Sequence, residues 1–144
     1  ARDGHTLVMV IADHGEYDSV TTVPLYGSPR ARIFEDELRS GAGGEMRLSY
    51  LYLRDGGLNS VADVVAHQFA EELAVANGEA ALAAGLFGSE PAHPEARHRM
   101  GDAVLIPRIG YRLAERNAPE LDLISLHGGL SDWEMLVPLL WRVT

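Results

Sequence analysis

The sequence predicts an α/β fold with a small antiparallel insertion, on three observations. Residues 6–12, TLVMVIA, are apolar and β-branched without alternation, as in a central strand covered on both faces. Residues 60–76 set Val61, Val64, Val65, Phe69 and Leu73 on one stripe at helical spacing. DAVLIP (102–107) and RIGYRL (108–113) read as two strands joined by a turn, which supplies the antiparallel part.

In chain order, the strand at 6–12 gives way to a long loop over 13–29, where polar residues, Pro24, Gly27 and Pro29 break any periodicity. RARIF (30–34) fits a short strand. RSGAGGE (39–45) is a flexible Gly-rich connection whose spacing matches no phosphate-cradling fingerprint. MRLSYLYLR (46–54) alternates Met46, Leu48, Tyr50 and Tyr52 against Arg47, Ser49, Leu51 and Leu53, a strand pattern. The helix at 60–76 begins at Ser60, with Asp63 three residues on, and ends at Asn77-Gly78, which tolerates positive φ.

A short helix follows over 79–84, stopped by Gly85, and GSEPAHPEARHRMG (88–101) is a loop with two prolines. After the two strands at 102–113, LDLIS (121–125) is another short one. In LHGGLSDWEMLVPLLWRV, Ser131 and Glu134 have capping-box spacing for one helical turn. LVPLLW (136–141) is then an apolar strand that Pro138 confines to an edge or an irregularity. No repeat, low-complexity segment or internal linker divides the chain, so residues 1–144 are expected to form one domain.

Composition narrows the function. Twelve basic and 21 acidic side chains give a formal charge of −9. A field of that sign repels phosphate backbones and argues against nucleic-acid binding through a basic surface. A metal ion would still recruit a phosphorylated ligand, because its charge dominates locally. The absence of cysteine excludes disulfides, Cys-based zinc sites and thiol catalysis. No apolar run approaches the roughly 18 residues of a membrane helix. The chain opens ARDGHTLV, without Met, and enters a strand almost at once, as an excised piece of a longer protein would. Nothing in the composition fixes a compartment.

Six histidines are the first candidates for chemistry. His67 lies one helical turn from Asp63 and Glu71, which suits a solvated ion-pairing face. His93 and His98 flank a loop with two arginines nearby, which oppose a cation. His5 belongs to the terminus. His14 and His127 differ: each follows an apolar strand and precedes glycine, in VIADHGE and LISLHGG. In open α/β sheets ligands collect at the carboxyl ends of strands, and carboxylate oxygen and imidazole nitrogen are suitable zinc donors. Asp13 joins His14 as such a pair. The two elements converge if their strands, 6–12 and the one ending near Leu126, share one sheet edge.

LVMVIADHG together with HGGLSDWEMLVPLL resembles the type I phosphodiesterase/nucleotide pyrophosphatase family of the alkaline phosphatase superfamily. GSPRARIF, EAALAAGLFG and RMGDAVLIP are also similar to that family's C-terminal half, so the resemblance covers nearly the whole chain. The implied architecture is the C-terminal part of an alkaline-phosphatase-like central sheet with a small antiparallel insertion.

The resemblance implies two divalent metal ions, usually zinc, flanking the phosphoryl group of a phosphodiester or nucleotide-like small-molecule substrate. Asp13 and His14 would ligate one ion and His127 the other, with Ser131 and Glu134 in a structural role. In that family the Thr or Ser nucleophile, a further Asp ligand and an Asp-x-x-x-His pair lie upstream of the DHG element. No such nucleophile, ligand Asp or Asp-x-x-x-His pair precedes Asp13 in this chain, and Thr6, Thr21 and Ser125 stand elsewhere. The expectation is the C-terminal half of a metal-dependent phosphodiesterase, inactive alone, partnered by its own upstream half, and prone to self-association through an uncovered strand. Two other readings stay open: a non-catalytic binding or regulatory module on the same scaffold, or part of a related phosphomonoesterase, phosphonate hydrolase or sulfatase-like enzyme.

Overall fold

The computed structural model describes residues 4–19, 21–88, 91–114 and 123–144. It is a mixed α/β arrangement built around a four-stranded antiparallel sheet. Four strands compose the sheet: β4 (Gly43–Glu45), β5 (Leu48–Leu51), β6 (Leu73–Asn77) and β7 (Ala103–Pro107), in the order β4-β5-β7-β6. Three strand pairs complete the β structure. β1 (Leu7–Ile11) runs antiparallel to β10 (Leu139–Val143), β2 (Tyr17–Asp18) antiparallel to β9 (Ser125–Leu126), and β3 (Thr21–Val23) parallel to β8 (Tyr111–Leu113).

Helices cover both faces of the four-stranded sheet. On one face, α1 (Arg32–Glu37) and α2 (Gly57–Gln68) bring Phe34, Val61, Val65 and Phe69 against Leu51, Leu53, Leu73, Ala103, Leu105 and Leu113, all buried. On the other, α3 (Gly78–Ala83) and α4 (Ala96–Met100) bring Ala81 and Met100 against Leu48 and Val104. The period-2 direction of strand side chains explains how β7 feeds both: Ala103 and Leu105 point one way, Val104 and Ile106 the other. Full burial of each large aliphatic or aromatic side chain contributes about 1.5–3 kcal/mol, which places most of the chain's stability in this sandwich.

Several expectations are corrected here. The helix expected at 60–76 starts at Gly57 and stops at Gln68, and Leu73–Asn77 is strand β6. Five ladder positions against β7, from Leu73↔Pro107 to Asn77↔Ala103, override the modest helix preference of LAVAN. Ser60 therefore lies inside α2 rather than capping it. Asn77 starts a helix instead of ending one, its side chain accepting a hydrogen bond from the Ala80 N–H at 2.8 Å.

RARIF is helical: Pro29 opens a 3-10 turn, Ser28 Oγ accepts from the Ala31 N–H, and α1 follows with Phe34 fully buried. The loop expected at 13–29 contains β2 and β3, and the one at 88–101 contains α4, residues 89 and 90 lying outside the described residues. The Gly-rich segment 39–45 ends in β4. Within 46–54 the strand is Leu48–Leu51, whose two sides are both covered by helices. LDLIS contributes only Ser125 to a strand, Leu121 and Asp122 lying outside the described residues. The apolar strand after Pro138 is Leu139–Val143, with the proline just ahead of it. The short helix over 79–84 stands, one residue early, with Gly85 at φ +77° beyond its end.

The largest correction concerns β1. It is a strand, but not a buried one. Its partner is β10, in the register Leu7↔Val143 to Ile11↔Leu139, and the apolar side chains of this ribbon are 50% to 68% exposed. No other described strand pairs with either member. Among the described residues no helix is long and apolar enough to cross a membrane.

Candidate metal centre

His14 and His127 meet. Their rings stack with centroids 3.7 Å apart and planes inclined at 20°. The reason differs from the one expected, since β1 and β9 belong to different ladders. The chain turns after β1 and re-enters as β2, and the pairing Tyr17↔Leu126 sets the loop before β2 beside the residue after β9. Positions 14 and 127 are thereby joined across nearly the whole chain.

Glycines shape both approaches. Gly15 donates its N–H to the Glu134 carbonyl at 2.9 Å, and a Cβ there would lie 1.8 Å from the Trp133 carbonyl oxygen. The loop carrying His14 thus packs backbone against backbone on α5 (Asp132–Met135). Gly128 sits at φ +98°, and a Cβ there would meet Glu45 Oε2 at 2.9 Å.

Asp13 and His14 form a compact donor pair. Asp13 Oδ1 accepts from the His14 N–H at 3.1 Å, and its Oδ2 lies 3.6 Å from His14 Nε2. Hydrogen bonds from the His14 and Asp13 N–H groups, then the charge of His14, hold the Asp13 carboxyl below the usual carboxylate range. It is therefore ionised at neutral pH. His14 Nδ1 is 2.9 Å from the Gly15 carbonyl, which accepts a proton carried there and leaves the Nε2 lone pair free. Two donors each about 2.0–2.2 Å from a tetrahedral zinc ion lie roughly 3.4 Å apart, so the 3.6 Å separation fits one ion. His127 Nδ1 lies 3.8 Å from Glu45 Oε2, and both side chains are partly exposed. Among the described residues no group of three or more His, Asp or Glu side chains is arranged to hold a metal ion.

Two of the other histidines are engaged locally. His67 Nδ1 approaches the Asp63 carbonyl one turn back on the exposed side of α2, and His93 Nδ1 accepts from the Glu95 N–H.

Beneath the His127 turn lies an ion pair that the sequence did not disclose. Arg47 Nε and Nη2 donate to Glu134 Oε1 and Oε2 at 2.8 and 2.7 Å, with both side chains almost wholly buried. Arg47 Nη1 also donates to the carbonyls of Arg108 and Tyr111. Glu134 further accepts from the Gly129 N–H at 2.9 Å and the Ser131 hydroxyl at 2.6 Å, so Ser131 serves the carboxylate rather than the helix end. Burial works against ionisation of Glu134. The hydrogen bonds from Arg47, Ser131 and Gly129, with the Arg47 charge, outweigh it and hold the pKa at about 2. Beside His127 opens a cleft of about 400 Å³ lined by Glu45, Leu48, Tyr50 and Phe87.

With this geometry in place, comparison with solved structures is informative. The phosphonoacetate hydrolase of Sinorhizobium meliloti 1021, in complex with phosphonoformate, superposes on 94% of this chain with a TM-score of 0.64 at 18% identity. The chain shares its fold. Human ectonucleotide pyrophosphatase/phosphodiesterase 5 matches 95% of the chain (TM-score 0.55, 14% identity), and the murine protein of the same name matches equally far (0.54, 16%). The chain spans 35%, 33% and 33% of their respective lengths. No protein-family model and no curated protein sequence matches the chain. The resemblance carried by the DHG and HGGLSDWEMLVPLL segments and the architecture thus point the same way.

Proposed function

We propose that this chain is part of a metal-dependent phosphodiesterase or nucleotide pyrophosphatase-like hydrolase, supplying Asp13 and His14 to one divalent ion and His127 to a second. The observation that carries this reading is the stacking of His14 on His127, with the Asp13 carboxylate beside Nε2 of His14. The β2–β9 pairing and the contact of Gly15 with α5 bring the two imidazoles together at the surface across more than a hundred residues.

Each residue has a defined task. Asp13, ionised, offsets cationic charge. His14 offers Nε2 because its Nδ1 side is engaged by the Gly15 carbonyl. The Arg47–Glu134 pair fixes the turn that presents His127. A bound pair of ions, zinc in this proposal, would stabilise the attacking and leaving oxygens of an in-line displacement at phosphorus. The nucleophile and the remaining ligands come from the upstream half of the parent protein, to which the uncovered β1–β10 ribbon would dock.

The test joins the chain to that upstream half and measures zinc- or manganese-stimulated hydrolysis of an aryl phosphodiester. The joined protein is expected to be active and the 144-residue chain inactive. His14→Ala and His127→Ala should each lower the rate by about 10²–10³, the usual scale for losing one electrostatic contact to the transition state. His67→Ala should leave it within a few-fold. Retention of rate and zinc content by both ligand variants would reject the site. A second reading is hydrolysis of a phosphonate, since the chain shares its fold with a phosphonoacetate hydrolase. A phosphonate in the same assay separates the two.

A further inference from the structure

We propose that the cleft beside His127 binds a small organic cation with an apolar shell, a quaternary ammonium group, between Glu45 and the rings of Tyr50 and Phe87. The site stands apart from the reading of His14 and His127 as metal ligands, and its test needs no metal.

At about 400 Å³ the cleft has the size of a small-ligand pocket. One wall comes from the β4–β5 ladder, in which Glu45 stands opposite Leu48 and Gly43 opposite Tyr50. Opposed residues, and residues two apart on one strand, project to the same face, so the acid and the tyrosine share one side of the sheet. Glycine at position 43 leaves the Tyr50 ring with no cross-strand side chain over it.

Phe87 comes from another part of the chain. It sits on the turn after α3, between Gly85 at φ +77° and Gly88 at φ +125°. That turn is closed by hydrogen bonds from the Leu86 N–H to the Ala81 carbonyl and from the Gly88 N–H to the Gly85 carbonyl, both 3.1 Å. Leu86 packs on the core around Leu48 and Val104, and Phe87 is left to line the cleft. Its ring lies 6.2 Å from that of Tyr50 at an inclination of 60°, and it stays 44% exposed.

With His127 neutral, Glu45 carries the only formal charge in the lining. Among the described residues its one ion-pair neighbour is His127, at 3.8 Å. Burial first, and then the Glu45 charge, pushes the Tyr50 hydroxyl above its ordinary pKa, so the carboxylate is felt at the ring.

These features select among ligands. An anion is repelled by the carboxylate. A neutral apolar group would take water from the carboxylate and return nothing. A compact, strongly hydrated cation gains from Glu45 but not from the rings. A quaternary ammonium group spreads its charge over methyl groups and satisfies both, because the electron-rich faces of aromatic rings attract such cations. If the rings were only packed on each other and the acid only solvated, charge would make no difference to what enters.

Charge is therefore the test. Tetramethylammonium chloride is titrated into the 144-residue chain, with sodium chloride at matched ionic strength and tert-butanol, a neutral molecule of similar shape, as comparisons. The solution is held at about pH 8, above the ordinary imidazole range. Ring-proton shifts of Tyr50 and Phe87 read occupancy. Tetramethylammonium is expected to give saturable shifts in the millimolar range, and the other two none. Glu45→Gln should weaken binding about fivefold, and Phe87→Leu and Tyr50→Leu about two- to fivefold each, the scale of one exposed charge or cation–π contact. Tyr50→Phe, which keeps the ring, should bind as the parent does. Amide shifts of β5 and β7 show whether each variant keeps its fold; if Tyr50→Leu does not, Phe87→Leu, at an exposed turn, decides for the rings. Equal shifts with tert-butanol or sodium, shifts that never saturate, or unchanged affinity in Glu45→Gln overturns the proposal.

Discussion

Arg47 and Glu134, 87 positions apart, meet in a two-pronged ion pair at 2.7 and 2.8 Å inside the protein. The pair ties the turn after His127 to the residue that enters β5 and to the carbonyls flanking the β7–β8 turn. The candidate site is thus held from below by a buried charge network rather than by a hydrophobic core.

Breaking this pair from one side leaves an uncompensated buried charge, which costs about 3–5 kcal/mol. Glu134→Ala and Arg47→Met are each expected to lower the unfolding free energy by an amount on that scale. The double variant Arg47→Met/Glu134→Leu should lose less than the sum of the two. Equilibrium urea unfolding followed by circular dichroism makes the comparison.

Acid should act through the same carboxylate. The folded-state pKa of Glu134, about 2, lies below the ordinary value of 4.5. Its contribution to stability is complete above about pH 4.5 and is lost as pH falls through about 2, because the unfolded chain takes up the proton first. Urea midpoints recorded from pH 7 to pH 2 should show a fall in that window. In Glu134→Gln the component due to this group should be missing.

Gly15→Ala places a methyl group where the Trp133 carbonyl already stands. The loop and α5 must separate, and the ring contact between His14 and His127 should be lost. Cross-relaxation between the two imidazoles, present in the parent chain and absent in the variant, reads this directly. The same substitution at Gly4, where a Cβ meets nothing within 4 Å, should change nothing.

Zinc should bind the isolated chain weakly. Catalytic zinc sites take three protein ligands per ion; Asp13 and His14 offer two to one ion, and His127 one to the other. Calorimetry at neutral pH is expected to give no stoichiometric submicromolar site. A tight site would mean that further donors are recruited.

The ribbon of β1 and β10 exposes both faces and, among the described residues, two edges that no other strand pairs with, the pattern that promotes association. Light scattering of the chain should rise with concentration, and a hydrophobic dye should bind. Val10→Lys with Leu140→Lys, an opposed pair, should reduce both signals while far-ultraviolet dichroism holds.

What could be read from the sequence followed local rules. Gly85 ended a helix, DAVLIP was a strand, and Ser131 opened one helical turn. His14 and His127 were singled out because each left a strand and met a glycine, and the fold sets them ring to ring. Elements decided by distant pairing were harder. LAVAN became a strand only because β7 lies beside it, and TLVMVIA carried the composition of a buried strand although its only described neighbour is β10. Arg47 gave no local signal, since it resembles an ordinary surface charge in its own neighbourhood, and the capping-box spacing that marked Glu134 did not reveal Arg47 as its partner.

The pairing of β1 with β10 also imposes a schedule on synthesis. Leu7 must wait for Val143, its ladder partner, to leave the ribosome. At about 5–20 residues per second β1 stands without this partner for roughly 7–27 seconds. During that interval five consecutive apolar residues without a charge or proline are available to any strand edge nearby, including those of nascent copies on the same message. The sandwich of β4 to β7 needs no such delay, as its strands all lie within residues 43–107. Assembly on the ribosome should therefore run from the middle of the chain outward, with the histidines brought together only near its end. Within residues 1–144, chaperone demand would then fall on the five residues of β1.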